Sequence, residues 1–295
     1  MAHLSDSCTV TIEGETIVPE DLGRGGLKFL QHKDCYKLDT ASVLLAWFAA
    51  SFARAGRSCE MLELGSGTGG VALLASARCK NAHIDGVELV ELPYKVFCEN
   101  IRLNNLEERI SAYNCDLREL PAELKNKAYD VVFMNPPFYD GTRGSVTDKN
   151  VKSEHESCAR FSEQGGLEDF VRVQSLRTRT SGGYAVMCIS PDRVPECFAL
   201  YTKYKITPVR LLTVHANASK NAFLALIAGK KGAPNAEFKA LPPLFINEEG
   251  SGALTKQAVH IYEEEHTDCF ISLEHRSGIL MICLREHAKC SKMLM

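Results

Sequence analysis

The run CEMLELGSGTGGVALLASA, residues 59–77, constrains this chain more than any other stretch. An apolar segment stops at a cluster of glycines and resumes with apolar residues, the pattern of a strand entering a helix through a tight turn. The alternation then continues. IDGVEL reads as the next strand, and a helix from about Pro93 sets Val96, Phe97 and Ile101 on one face and Glu91, Lys95 and Glu99 on another. ISAYN and YDVVFMN follow as strands, then a loop over 139–163, the helix LEDFVRVQSLRTRT and the strand YAVMCIS. Two further apolar runs, TPVRLLTVH and AFLALIAG, flank a polar loop with Asn217, Ser219 and Lys220 and predict a hairpin. The whole predicts an α/β fold, a parallel sheet in a three-layer αβα arrangement, with the terminal hairpin adding one antiparallel edge strand.

Residues 8–18 alternate polar and apolar around Gly14 and predict a short hairpin, followed by a Gly/Arg-rich loop at 22–26. Residues 38–55 carry apolar side chains at helical spacing behind Asp39 and Thr40, either of which can cap a helix. These elements are expected to form an N-terminal cap over 1–57, ahead of a main domain over 58–231. The Pro/Gly-rich stretch 229–243 reads as a linker to a C-terminal extension, 232–295, which shows no clear pattern.

Charge and cysteine usage narrow the function classes. The formal net charge of -3 provides no general attraction to nucleic acid, yet residues 143–231 hold 14 Lys/Arg against 8 Asp/Glu, either a solvated face or an RNA-binding one. The 12 cysteines include no C-x-x-C pair and no Cys/His cluster with zinc spacing, so free thiols in a reducing compartment are expected and no metal. No run approaches the roughly 18 apolar residues of a membrane span, and Asp6 interrupts the start, so a cytoplasmic location is expected. The oligomeric state is not legible, and a monomer is the starting expectation.

The glycine turn Gly65, Gly67, Gly69 and Gly70 satisfies G-x-G-x-x-G, which by itself suits a dinucleotide as well as S-adenosylmethionine. Two acids favour the latter. Glu63 stands just before the first glycine, where it suits an ammonium and would oppose a pyrophosphate; Glu88 ends the next strand, where it can accept from two ribose hydroxyls. Asp116, after ISAYN, is placed to accept from an adenine amine. Downstream, the strand YDVVFMN ends in Asn135-Pro136-Pro137-Phe138. An exocyclic amine or amide nitrogen has a delocalised lone pair and is a poor nucleophile. If the Asn135 side-chain carbonyl and the Pro136 backbone carbonyl accept its two N–H groups, the lone pair is directed at a methyl donor. Pro136 and Pro137 fix φ and so hold the carbonyl direction, while Phe138 offers a ring face for stacking.

With these motifs in order, the sequence resembles the bacterial tRNA(Val) adenine-37 N6-methyltransferases, within the class I (Rossmann-like) amino-methyltransferases that carry N-P-P-[FY]. The resemblance extends through Gly25-Gly26, Phe29, Gln31, Tyr36 to Thr40, the region of Ala159-Arg160, Val214-His215 and Lys220 to Ala222. It implies an anticodon-loop adenine of tRNA as substrate, turned out of its stack to reach Asn135. It further implies that Gln31 and Tyr36 border the cofactor or target pocket and that Arg160 and Lys220 contact phosphates; packing for Tyr36 and solvation for Lys220 are the ordinary alternatives. Phe138 replaces the tyrosine of many relatives, and residues 266–295 have no counterpart. The rivals are a release-factor glutamine methyltransferase, whose relatives carry a larger helical domain ahead of the glycine turn, a ribosomal guanine N2-methyltransferase, and a catalytically silent RNA or protein adaptor. Against the adaptor stands the joint presence of Glu63, Gly65, Gly67, Glu88 and Asn135.

Overall fold

The computed structural model describes residues 9–53, 56–136 and 166–263. A β-hairpin, β1 (Val10–Ile12) and β2 (Glu15–Ile17), is the first element of the described residues. Its two turn residues, Glu13 and Gly14, both have positive φ, as the right-handed twist of a two-residue hairpin demands. A second small pair, β3 (Glu20–Asp21) and β4 (Lys28–Phe29), leads to α1 (Thr40–Ala50). Asp39 caps α1 by accepting from the Ser42 N–H at 2.8 Å. The helix is apolar nearly all round, and the residues from Leu44 to Ala50 are buried, so α1 is a core helix.

The alternating part runs β5 (Cys59–Leu64), α2 (Gly70–Arg78), β6 (Ala82–Glu88), α3 (Glu91–Leu103), β7 (Ile110–Asn114), α4 (Ala122–Lys125), β8 (Val131–Met134), α5 (Leu167–Arg177), β9 (Tyr184–Ile189) and α6 (Val194–Lys203). The described residues continue through β10 (Ile206–His215), β11 (Ala222–Lys231), β12 (Lys239–Ala240), β13 (Leu244–Phe245) and α7 (Lys256–Glu263). Helix α3 begins two residues before Pro93, which sits in its first turn, where its missing N–H goes unused.

The main sheet has the order β12-β10-β11-β9-β8-β5-β6-β7, with β13 also paired to β10. The chain moves outward from β5 through β6 to β7, then returns to place β8 and β9 on the other side of β5. Right-handed crossovers in opposite directions put the connecting helices on opposite faces. Accordingly α1, α2 and Phe97 of α3 pack into one buried cluster, and Leu124 of α4 with α5 and α6 into the other. The hairpin does supply the antiparallel strand, but that strand is β11, held inside the sheet between β9 and β10. The Pro/Gly-rich stretch read as a linker lies along the sheet: 229–231 end β11, and β12 pairs with β10 in parallel. Leu244 and Ile261 join the same cluster as Trp47 and Met61.

Candidate active site

Strand order reverses between β5 and β8, and in open parallel sheets the crevice beyond the carboxyl ends of such strands receives ligands. Leu64 is registered with Val87 on β6 and with Met134 on β8, so the segments that follow all three leave one edge at one level. The glycine turn starts there. Gly65, Gly67 and Gly69 have φ of 71°, 54° and 81°, which L side chains rarely adopt. The Gly65 and Ser66 N–H groups both donate to Val87 O at 2.9 Å, stitching the turn to β6.

Glu88 is almost wholly buried, and its two oxygens accept from the Gly67 and Val90 N–H groups at 2.8 Å each. Burial pushes its carboxyl up, against the pull of those amides. It therefore braces the turn while lining a cleft with Gly65, Leu89, Asp116, Leu117 and Phe170. Glu63 is 1% exposed, and burial holds its carboxyl well above the usual carboxylate range. The backbone at Ala72 pulls the carboxyl the other way, and its Oε2 has no hydrogen-bond partner among the described residues. Such a buried acceptor is costly unless something supplies a donor.

Asp116 lines the same cleft with both oxygens turned to Arg118, whose guanidinium holds the carboxyl below its usual range. Gln31 braces β3 against the segment ahead of α1: its amide donates to Glu20 at 2.8 Å and accepts from the Leu38 N–H at 3.0 Å. The half-exposed Tyr36 donates its hydroxyl to Asp39, the cap of α1.

Asn135 follows β8 directly and is half-buried, and Pro136 is buried behind it. The Cys188 thiol donates to Asn135 Oδ1 at 2.9 Å. Pro137, Phe138 and Arg160 lie outside the described residues. Lys220 is exposed in the loop between β10 and β11, where its carbonyl meets His215 Nδ1 at 2.8 Å. Ala225 of β11 is registered with Ile189 of β9. Because β11 runs antiparallel, that loop projects past the end of β9 on the same edge as Asn135, by roughly 10 Å at ~3.3 Å per residue.

Three residues of the site region were not singled out from the sequence. Asn100 is fully buried on α3; its oxygen accepts from the Leu30 N–H at 2.7 Å and its amide donates to Thr68 O at 3.0 Å and Leu30 O at 3.3 Å. It ties the segment just after β4 to the glycine turn, and its signal is a polar residue on the apolar face that carries Phe97 and Ile101. Phe170 and Cys188 sit at ordinary apolar positions, and only the fold brings them to the turn and to Asn135.

A model of the Methyltransferase small domain family matches residues 29–172. Among curated relatives, a tRNA1(Val) (adenine(37)-N6)-methyltransferase of Dyadobacter fermentans is 32% identical over 211 residues, covering 71% of this chain and 81% of the relative. One of the same name from Flavobacterium johnsoniae is 28% identical over 244 residues, covering 81% and 92%. Among solved structures, a predicted O-methyltransferase from Agrobacterium tumefaciens superposes with a TM-score of 0.58 at 21% identity, over 74% of this chain and 94% of that one. The methyltransferase subunit of a type I restriction-modification system from Streptococcus thermophilus gives 0.55 at 14% identity, over 81% and 53%. The fold is thus that of Rossmann-like methyltransferases, and the sequence similarity reaches well beyond the glycine turn. This chain is a methyltransferase and belongs to the tRNA1(Val) (adenine(37)-N6)-methyltransferase family.

Proposed function

We propose that this chain transfers a methyl group from S-adenosylmethionine to N6 of adenine 37 in the anticodon loop of tRNA. The observation that carries this reading is the register of Leu64 with Met134, which brings the glycine turn and Asn135 out of adjacent strands at one edge. Family membership supports the choice of adenine over a protein glutamine or a guanine.

The residues present fit the cofactor. The Glu63 oxygen that has no partner among the described residues suits an ammonium, and a side chain built at Gly67 would meet nothing within 4 Å among them, which leaves the backbone open to close approach. Glu88 retains lone pairs for ribose hydroxyls beyond those given to the two amides, and Asp116 retains some beside Arg118 for an adenine amine. Gln31 and Tyr36 would border the pocket, with Gly65 and Gly69 completing the turn. When bound, S-adenosylmethionine supplies an electrophilic methyl on a sulfonium. Asn135 Oδ1 and the Pro136 carbonyl accept the two N–H groups of the amine and aim its lone pair, so the barrier falls through orientation and electrostatics. Pro137 stiffens the turn, Phe138 stacks on the base, and Arg160 and Lys220 contact phosphates. No strong base is required, because the amine proton becomes acidic once the nitrogen is methylated.

In this reading residues 58–231 are the catalytic unit, flanked by 1–57 and 232–295, and the enzyme works as a cytoplasmic monomer. The test is incubation with labelled S-adenosylmethionine and unmodified total tRNA, followed by mass-spectrometric mapping. N6-methyladenine at position 37 is expected. Label on protein alone, or on RNA as N2-methylguanine, would overturn the assignment.

A further inference from the structure

Asn135 can receive an amine only through its carbonyl end, because its NH2 end would point donors at donors. The two ends of the amide have nearly the same shape, so packing alone does not choose between them. A neighbour that donates more readily than it accepts can. Cys188 lies one residue beyond Met187, which is registered with Met134 on β8, so Cys188 and Asn135 stand at one level on neighbouring strands. Its thiol donates to Asn135 Oδ1 at 2.9 Å and is fully buried in the cluster that α1 packs into.

A thiol is a weak donor and a weaker acceptor, so it tolerates a carbonyl oxygen opposite it and disfavours an NH2 group. Burial, together with the Asp39 carboxylate that caps α1 nearby, holds the thiol well above its usual range, so the proton stays in place at neutral pH. The facing oxygen has two lone pairs. One accepts the S–H, and the other is left for a substrate N–H.

We propose that Cys188 is a positioning residue for methyl transfer, its S–H locking Asn135 with the carbonyl end available to the substrate amine. The proposal rests on the reading that Asn135 receives that amine.

The full chain would be compared with C188A, C188S, N135A and the C188A/N135A double variant, measuring turnover on unmodified tRNA, KM for tRNA, S-adenosylmethionine affinity by calorimetry and thermal midpoint. Loss of one hydrogen bond corresponds to a fall in kcat of about three- to tenfold in C188A, with cofactor affinity within about twofold of wild type. C188S, which restores a donor, recovers most of that loss. In the N135A background C188A causes no further fall. Infrared difference spectra between wild type and N135A give a readout independent of activity, because the Cys188 S–H band moves to higher frequency when its acceptor is removed.

Wild-type turnover in C188A beside a strongly impaired N135A overturns the positioning role, as does an equal loss in C188A and C188S. Should both cysteine variants fail to fold, an unshifted S–H band in N135A overturns it instead. Wild-type turnover in N135A removes the amine-receiving reading itself, a distinct result.

Discussion

Gly67 and Gly69 both hold positive φ, yet a side chain at the two positions meets different surroundings. At Gly69 an added Cβ would lie 1.9 Å from the Phe97 ring, whereas at Gly67 it meets nothing within 4 Å. Gly69→Ala is therefore expected to lose about 2–4 kcal/mol of stability from overpacking and left-handed strain together, measured by urea unfolding. Gly67→Ala should cost about 1–2 kcal/mol from the backbone alone and remain folded. Its S-adenosylmethionine affinity, read by calorimetry, should fall much further than its stability does; unchanged affinity would place the cofactor away from the turn. Asn100 is the third residue on which the turn depends. Asn100→Leu strands the Leu30 N–H and the Thr68 carbonyl in the core, at a cost of about 2–4 kcal/mol in the same unfolding assay.

At the scale of elements, α1 and α7 are held by their ends. The Asp39 side chain caps α1 and also accepts from the Tyr36 hydroxyl, so one carboxylate fixes both the helix start and the approach loop. Asp39→Ala should remove about 1 kcal/mol from the cap and loosen residues 36–39. Hydrogen exchange at the Ser42 amide would show it, and unchanged protection there would mean that the cap contributes nothing. At the other end of the fold, Arg24 and Arg78 both donate to the Ile261 carbonyl in the last turn of α7, where cations complement the helix dipole. That contact ties α7 to the loop ahead of β4 and to α2. Sequence reading placed neither α7 nor the sheet pairing of β12 and β13, because short segments with weak periodicity are defined by the partner they dock against.

For the molecule as a whole, the two most buried acids of the site set the stability of the fold against the ionised Glu63 that the proposed cofactor would need. Burial raises the carboxyls of Glu63 and Glu88 above their ordinary value of 4.5, so the folded chain holds protons that the unfolded chain releases. Their contribution favours the fold fully below that value and is lost as pH rises through the folded values. Glu63→Gln should accordingly raise the thermal midpoint of the ligand-free protein at neutral pH, with the gain shrinking toward pH 4. The same substitution should weaken S-adenosylmethionine binding about tenfold or more, because an ammonium loses its ionised partner. Wild-type affinity should also rise with pH above 4.5 as Glu63 ionises, and Glu63→Gln should flatten that rise. A lower midpoint in Glu63→Gln at pH 7 would show that burial does not destabilise the Glu63 carboxyl, and identical pH profiles of affinity would show that it is not a cofactor ligand.

By itself the sequence determined the strand and helix alternation, the glycine turn, the three acids near it and the Asn135 motif. These are local facts, carried by periodicity, by residues that alone tolerate positive φ, and by a strand that stops abruptly at prolines. Only the tertiary structure decided the placement of β11 inside the sheet, because register and strand order depend on contacts between segments far apart in the chain. It also decided the state of each acid. Nothing in the sequence distinguishes Glu63, desolvated with one oxygen unpartnered among the described residues, from Asp116, turned to Arg118, since burial and charge pairing are properties of the packed molecule. The same holds for Cys188, an apolar strand position by pattern that becomes Asn135's hydrogen-bond donor only when β8 and β9 align.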